Sequence, residues 1–346
     1  MATPDQAASA RRGDSDRDQL FEVIQELLLG SGLRYSATQL AEATGAEREM
    51  TRKLWRAMGF ANVSDDEIAF AEADLDALRR TSELIRRDGL EPADMLHLTR
   101  VLGQATARIA ESVIGFSADR LFDSDRPVDS DRPVDSGQPG GQVPPAATEM
   151  APELLLEVDH LVVYLLNRHL VDAAIRQLQS YVRAEPSTSV TVGFADLVGF
   201  TRLSQELSDA EIADLVEHFE STASDTVVAN GGRVVKMIGD EIMWSAPSGR
   251  APEIALLLTE SFDGPDLPGV RVGLACGAVV TRAGDLFGPT VNLASRATGV
   301  AHPGTVLASS DLFEVVDADG RYRLKKLRPR RLKGLGLVEL GVVQRA

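Results

Sequence analysis

Cysteine is nearly absent from this sequence, since Cys276 is the only one among 346 residues. A single cysteine excludes an intrachain disulfide and any metal site that several cysteines would build. Such cysteine usage is typical of proteins in a reducing compartment. We therefore expect a cytoplasmic protein in which Cys276, within a predicted strand, is a small core residue rather than a reactive thiol.

Long hydrophobic runs are also lacking. The longest of them, such as Leu161–Leu166, are far shorter than the roughly 20 residues that a membrane-spanning helix needs. Residues 1–17 are polar and contain no apolar stretch of the kind that a secretory signal carries. We therefore expect no membrane span, no secretory signal and a disordered segment at residues 1–17.

Positive charge is scarce, because Lys and Arg together number 36 against 52 Asp and Glu, and the net charge is -16. This excess of negative charge disfavours binding to nucleic acids or anionic membranes. Two amphipathic segments within residues 35–60 resemble a helix-turn-helix of the MerR type, which leaves two interpretations, DNA binding or packing alone. The acidic excess over residues 1–122 favours packing, so we expect no nucleic-acid partner.

Composition and periodicity divide the rest of the chain. Apolar residues recur at helical spacing over residues 18–122, which predicts an all-helical domain. Residues 123–147 contain Asp-Ser-Asp-Arg-Pro-Val twice in succession and then a Gly-, Pro- and Gln-rich run, which is typical of a flexible linker. Helical spacing returns at residues 148–185 and predicts a connecting helix, and residues 186–346 form the next domain.

The connecting helix carries two apolar stripes. One includes Leu161 and Leu165, and the other, rotated well away from it, includes Leu170 and Ile175. Each stripe needs a partner surface. Two interpretations stay open, a connector whose docking couples two domains and an ordinary core helix.

Strand-like and helix-like segments alternate in the last domain. The pattern predicts a strand at Ser189–Phe194, a helix at Asp209–Ala229, and a hairpin of Arg233–Ile238 with Glu241–Ser245 around a Gly-Asp turn. A later helix is predicted at Thr290–Val300. This order indicates an α+β fold on a βαββαβ core, behind an all-helical domain.

Two aspartates stand where such a core would bring them together. Asp196 is expected at the end of the first strand, and Asp240 lies in the hairpin turn. Paired carboxylates can hold two hard cations, and two such cations commonly assist phosphoryl transfer. Taken alone, either aspartate could equally be a helix cap or turn residue.

Four segments around these residues carry a family resemblance. The segments are Phe194–Thr201, Lys236–Glu241, Asp285–Arg296 and Leu332–Gly336. In this order they resemble the sequence motifs of class III nucleotidyl cyclases. The resemblance covers residues 188–346. It implies a ferredoxin-like, palm-type catalytic domain and an adenylyl cyclase that forms cyclic AMP and pyrophosphate from ATP.

The resemblance also implies how metal and phosphates are bound. Asp196 and Asp240 match the ligands of two Mg²⁺ or Mn²⁺ ions per active site. The backbone amides from Leu197 to Thr201, with Phe200 and Thr201 opening a helix, match the segment that cradles the triphosphate. Lys333 matches a lysine that binds the β- and γ-phosphates; its alternative is simple surface charge in a basic run.

The remaining matches concern the base, the ribose and the transition state. Lys236 and Asp285 match the pair that recognises adenine, which favours ATP over GTP because guanine presents the opposite hydrogen-bonding polarity. Asn292 matches a residue that orients the ribose, and Arg296 one that stabilises charge on the α-phosphate. Because the family shares each site between two catalytic domains and this chain has both residue sets, the resemblance implies a homodimer with two equivalent sites.

The N-terminal half resembles the regulatory domain of bacterial two-domain adenylyl cyclases that respond to acidic pH, some of which bind fatty acids. This implies regulation by pH, or by a fatty acid or other small ligand at that domain. His160 and His169 lie on opposite faces of the connecting helix, and either could titrate near neutrality.

Other functions are weighed against this one. Gly239-Asp240-Glu241 is superficially similar to the Gly-Gly-Asp-Glu-Phe signature of diguanylate cyclases, but Ile238 replaces the first glycine and the third motif belongs to the other family. A catalytically inactive cyclase-like regulator and a helix-turn-helix DNA-binding protein are the alternatives from other classes. Every predicted catalytic position is filled, which favours the enzyme.

Overall fold

A computed structural model of the chain describes residues 25–26, 28–45, 47–123, 145–182, 190–264 and 267–346. The chain divides into two units, Met1–Asp172 and Ala173–Ala346. The segment predicted to be disordered, 1–17, lies outside the described residues. So does the predicted linker at 123–147 except for its ends, because Asp123 and residues 145–147 are helical.

The first unit is built from helices, as predicted. Their bounds are α1 (Ala37–Thr44), α2 (Arg48–Met58), α3 (Glu72–Asp88), α4 (Pro92–Asp123) and α5 (Pro145–Val182), the last of which runs across the division between the units. Ser36 caps α1 in a reciprocal capping box with Gln39, and Gly45 ends it in the left-handed region. A core of Leu40, Leu54, Phe70, Leu75, Leu78 and Met95 joins α1 to α4.

Helices α1 and α2 form the predicted helix-turn-helix. The basic side chains of α2 are already paired: Arg48 with Glu42, Arg52 with Asp65, and Lys53 and Arg56 both with Glu49. Each pair is exposed and weak, but a phosphate would have to compete with these carboxylates for the cations. This pairing favours the packing interpretation over DNA binding.

Helix α5 keeps its apolar side chains in solvent. Leu161, Leu165, Leu170 and Ile175 are all exposed, by about half in each case. Such exposure contradicts the interpretation of α5 as an ordinary core helix. Among the helices that the structure describes, none combines the length and apolar character needed to cross a bilayer.

The second unit is a mixed sheet flanked by helices. Its described part contains a seven-stranded sheet in the order β2-β3-β1-β4-β7-β11-β8 and two small hairpins, β5–β6 and β9–β10. The strands are β1 (Val190–Leu197), β2 (Arg233–Ile238), β3 (Glu241–Ala246), β4 (Val270–Gly277), β5 (Val280–Arg282), β6 (Asp285–Phe287), β7 (Val306–Ser309), β8 (Tyr322–Lys326), β9 (Arg330–Leu332), β10 (Gly336–Val338) and β11 (Leu340–Arg345). The helices are α6 (Phe200–Glu206), α7 (Asp209–Ala229), α8 (Ala251–Ser261), α9 (Pro289–Val300) and α10 (Phe313–Ala318).

The first four strands adopt the predicted βαββαβ core. They stand in the order β4-β1-β3-β2, with α7 between β1 and β2 and α8 between β3 and β4. β1 pairs antiparallel with both β3 and β4, and β4 pairs parallel with β7. The α+β fold expected from the sequence is confirmed.

Strand alternation gives the sheet two buried faces. Ala195 and Leu197 of β1 join the core that includes Phe219 of α7 and Ile254 of α8. Phe194 joins a second core that includes Ala294 of α9. Because side chains alternate along a strand, Asp196 points to the same face as Phe194, the face that α9 covers.

Helix α9 lies directly on strand β4 at Gly273. A Cβ atom at this position would overlap the Ala294 carbonyl and the Thr298 amide of α9. The absence of a side chain therefore sets the distance between α9 and the sheet.

We expect Gly273→Ala to lower the free energy of unfolding by about 1–3 kcal/mol, because α9 must move to relieve the overlap. Urea unfolding of the full chain measures this loss. Gly320→Ala is the matched control, since a Cβ there meets no atom within 4 Å. Equal stability of the two variants would contradict this account of α9 packing.

Candidate active site

The hairpin turn that carries Asp240 is fastened to the end of β1. The Leu197 amide donates to the Asp240 carbonyl at 3.0 Å, and Asp196 stands opposite Glu241 across the β1–β3 pair. Asp196 is the next-to-last residue of β1 rather than its end. The structure thus brings Asp196 and Asp240 to the same edge of the sheet, where β1 ends and β3 begins, as the sequence predicted.

Burial raises the pKa of Asp196, hydrogen bonding and charge from Arg271 oppose the rise, and the Asp240 charge adds to it. A third carboxylate, Glu241, lies beside the pair. Burial raises the pKa of Glu241 to about 7, with further contributions from the charges of Asp196 and Asp240. Three carboxyl groups therefore lie close together here, and Glu241 is only partly ionised near neutral pH.

Arg271 is a residue of this site that the sequence reasoning missed. It is the cross-strand neighbour of Asp196 on β4, and its Nε donates to Asp196 Oδ2 at 2.6 Å. Its Nη1 also reaches the Gly299 carbonyl near the end of α9, at 3.5 Å. In the sequence Arg271 is only an arginine within a strand, so no local signal marks it.

The Asp196 and Asp240 carboxylates suit a cation that is also bound by the phosphates of a substrate. Among the described residues, no group of three or more His, Cys, Asp and Glu side chains is arranged to hold a metal ion. Mg²⁺ commonly takes only one or two protein carboxylates, together with waters and substrate phosphates. The pair Asp196 and Asp240 fits that donor set.

Lys236 and Asp285 form an ion pair, with 2.5 Å between Lys236 Nζ and Asp285 Oδ2. The Leu286 amide donates to the other carboxylate oxygen, Oδ1, at 2.8 Å. The Lys236 side chain is 41% exposed and that of Asp285 is 24% exposed, so both can be reached from solvent. The structure brings this predicted pair together, and its role toward a purine stays a prediction.

A bulge in β2 sets the direction of Lys236. Val234 pairs with Trp244, but Lys236 pairs with Met243, so Val235 is an extra residue. Without it, Lys236 would face the Trp244 side of the sheet. With it, Lys236 points to the Met243 side, where Asp285 lies.

Asn292 and Arg296 lie on α9, which begins at Pro289. Both are exposed and, four residues apart, point to one side of the helix. Lys333 is exposed in the turn between β9 and β10. Within the described part of the chain, neither Arg296 nor Lys333 forms an ion pair with a carboxylate.

The predicted phosphate cradle is shorter than expected. Two of its amides are already used, because Leu197 donates to Asp240 and Val198 donates to the Gly269 carbonyl at 2.8 Å. Their assignment to the cradle was wrong for that reason. Phe200 and Thr201 still open α6 after Gly199, although the Phe200 side chain packs on the core and leaves only its backbone for a ligand.

Comparison with known proteins identifies both halves of the chain. Residues 182–343 match the family described as adenylate and guanylate cyclase catalytic domain, and residues 10–123 match adenylate cyclase regulatory domain. The chain is 36% identical to an adenylate cyclase of Streptomyces coelicolor over 94% of this chain and 90% of that protein.

Two further relatives agree with this. An adenylate cyclase of Glutamicibacter nicotianae is 30% identical over 91% of this chain and 80% of its own length. A protein of Mycobacterium tuberculosis named pH-sensitive adenylate cyclase is 31% identical over 94% of this chain and 82% of its own length. The chain therefore belongs to the class III cyclase family, among the adenylate cyclases that carry an N-terminal regulatory domain.

Proposed function

We propose that this protein converts ATP into 3′,5′-cyclic AMP and pyrophosphate. The Lys236–Asp285 pair carries the proposal, because its donor and acceptor match adenine and mismatch guanine. Lys236 lies four residues before Asp240 on the same hairpin, so in the shared arrangement proposed below this hairpin contributes a base-recognising side chain to one site and a metal ligand to the other. In the alternative, a catalytically inactive regulator, the Lys236–Asp285 pair would have a structural role only.

Asp196 and Asp240 would hold two Mg²⁺ or Mn²⁺ ions in each active site. Bound there, the cations would lower the pKa of the ribose 3′-hydroxyl and would offset the negative charge of the α-phosphate and of the leaving pyrophosphate. Arg271 holds the Asp196 carboxylate at the edge of the sheet. Glu241 lies beside them and, with its pKa raised to about 7 mainly by burial, is only partly ionised near neutral pH.

The base is selected by exchange of partners. Before ATP binds, Lys236 and Asp285 neutralise each other, so neither charge is left unpaired. Adenine then accepts at N1 from Lys236 and donates its exocyclic amine to Asp285. Guanine offers a donor to the lysine and an acceptor to the carboxylate, and such mispairing can reduce the rate by several powers of ten.

The phosphates and ribose are met by groups that have no carboxylate partner. Asn292 orients the ribose, and Arg296 stabilises the charge that builds on the α-phosphate when the 3′-oxygen attacks. Lys333 binds the β- and γ-phosphates and stabilises pyrophosphate as it leaves. The Phe200 and Thr201 amides, at the start of α6, donate to the triphosphate.

Each site is shared between two copies of the chain. One copy supplies Asp196 and Asp240, and the other supplies Lys236, Asp285, Asn292 and Arg296. The exposure of Asn292 and Arg296 on α9 suits side chains that reach into a partner's site. The first unit of each copy regulates the sites; pH and a fatty acid or other small ligand remain predicted signals, and His160 and His169 remain predicted pH-sensing groups.

The first test is the product. With Mn²⁺ and ATP, we expect the purified full-length protein to form 3′,5′-cyclic AMP, identified by mass spectrometry, and far less product from GTP. Asp240→Asn should reduce the rate at least about a hundredfold, because it removes a ligand charge at the reacting phosphates. Asp317→Asn, an exposed site on α10, is the matched control. Absence of cyclic product, or full activity of Asp240→Asn, would refute the proposal.

The second test concerns the shared site. Asp240→Ala and Arg296→Ala should each be inactive, and a mixture should recover on the order of a quarter of wild-type activity. Half of the dimers would be mixed, and each mixed dimer would keep one intact site. A mixture as inactive as its components, although mixed dimers form, would show that each site is made by one chain.

The third test addresses the cation site without catalysis. Arg271→Met should lower the free energy of unfolding by about 2 kcal/mol, less than the loss of a fully buried partner, because Asp196 is 13% and Arg271 30% exposed. Mn²⁺ should raise the melting temperature of Arg271→Met more than that of Arg271→Met/Asp196→Asn, since a bound ion stabilises only the folded state. Equal responses to Mn²⁺ would contradict a cation site at Asp196.

A further inference from the structure

The β5–β6 hairpin contains a strained turn. Arg282 pairs with Asp285, so Ala283 and Gly284 form a two-residue turn, with φ of 53° and 79°. Positive φ at both central positions is the arrangement of a type I′ turn, which favours Asn-Gly. Among the described non-glycine residues, Ala283 is the one with positive φ. An alanine persists in this conformation only where its surroundings enforce it.

The turn sets the position of Asp285, which follows it directly. Asp285 is held at one oxygen by the Leu286 amide and at the other by Lys236. The Leu286 amide belongs to the next residue and moves with Asp285, but the Lys236 contact depends on where the backbone leaves the turn. A displacement of about 1 Å in such a group can cost a hundredfold in rate.

Arg233 of β2 reaches this turn from the neighbouring strand. Its Nη1 donates to the Gly284 carbonyl at 3.4 Å. In a regular strand Arg233 and Lys236, three residues apart, would face opposite sides. The bulge at Val235 brings both side chains to the same face of the sheet. Strand β2 therefore places two cationic side chains against the β5–β6 hairpin.

The electrostatic surroundings agree with this contact. Burial lowers the pKa of Arg233, the like charge of Arg176 on α5 lowers it further, and the carboxylate of Asp285 opposes both. Asp285 thus stands near two cations of β2, and only Lys236 contacts its carboxylate directly. Arg233 contacts the backbone immediately before it.

We propose that Arg233 is a positioning residue for purine selection, whose guanidinium fixes the Ala283–Gly284 turn so that Asp285 meets Lys236 and the exocyclic amine of adenine. This inference rests on the proposed adenylate cyclase function. Arg233 itself does not touch the base. It acts through the turn, and loss of Arg233 should therefore change discrimination between purines as well as rate.

Steady-state kinetics with ATP and GTP test this role. Arg233→Met should reduce the ratio of kcat/KM for ATP to that for GTP about tenfold, because Asp285 loses its fixed position. Arg233→Lys keeps the positive charge and one hydrogen-bond donor, so its ratio should lie between those of the wild-type protein and Arg233→Met. Arg323→Met, which removes an exposed arginine from β8, should leave the ratio unchanged. An unchanged ratio in Arg233→Met would overturn the inference.

A rescue variant separates positioning from a general structural effect. Ala283→Asn creates the Asn-Gly turn, which adopts positive φ without outside support. In the Arg233→Met background it should restore most of the lost purine ratio, whereas in the wild-type background it should change the ratio little. If Ala283→Asn gave no rescue while both proteins remained folded by circular dichroism, Arg233 would not act through the turn.

Hydrogen exchange provides a readout that does not depend on activity. The backbone amides of the β5–β6 hairpin should exchange about tenfold faster in Arg233→Met because the turn opens more often. Arg323→Met should show the wild-type rate. If the wild-type protein formed no cyclic nucleotide, the proposed function would be wrong. The exchange rates of the wild-type protein and Arg233→Met would still test whether Arg233 positions the turn. Unchanged exchange of the β5–β6 hairpin would reject that role.

Discussion

The antiparallel pairing of β1 with β3 is the constraint on which the site depends. Its register places Asp196 opposite Glu241 and lets the Leu197 amide hold the Asp240 carbonyl. A slip of one residue would turn Asp196 toward the core that contains Trp244, since side chains alternate between the two faces of a sheet. The register therefore decides whether two aspartates meet at a ligand-accessible edge or one of them is buried without a partner.

Two departures from regular structure position the Lys236–Asp285 pair on the same face of the sheet. The bulge at Val235 directs Lys236 toward Asp285, and the strained Ala283–Gly284 turn positions Asp285 to receive it. Each departure costs conformational free energy, and such costs are commonly found at binding and catalytic sites. Their meeting at one ion pair supports a specific role for that pair in recognition.

Under the proposed function a chain of net charge -16 binds a polyanionic substrate, and the distribution of paired and unpaired cations is consistent with this. Arg48 and Arg52 of the helix-turn-helix are paired with carboxylates, which lowers their use in phosphate binding. Arg296 and Lys333 have no carboxylate partner within the described part of the chain. Local availability of cations, rather than total charge, determines where phosphates can bind.

Sequence alone determined the parts of this protein that short-range rules control. Helix α7 begins and ends at its predicted residues, Asp209 and Ala229, because Ser208 and Glu211 form a capping box ahead of an amphipathic stretch. The β2–β3 hairpin followed from its Gly-Asp turn. The paired aspartates and the Lys236–Asp285 pair were found because each lies within a recognisable local motif.

Tertiary structure decided what depends on contacts between distant segments. Arg271 reaches Asp196 only because β4 pairs with β1, and the Leu197 and Val198 amides are consumed by the Asp240 and Gly269 carbonyls rather than left for phosphates. The bulge that turns Lys236 toward its partner likewise appears only when β2 pairs with β3. Periodicity, caps and turns act over a few neighbouring residues, whereas strand pairing joins residues far apart in the chain and leaves no local pattern in the sequence.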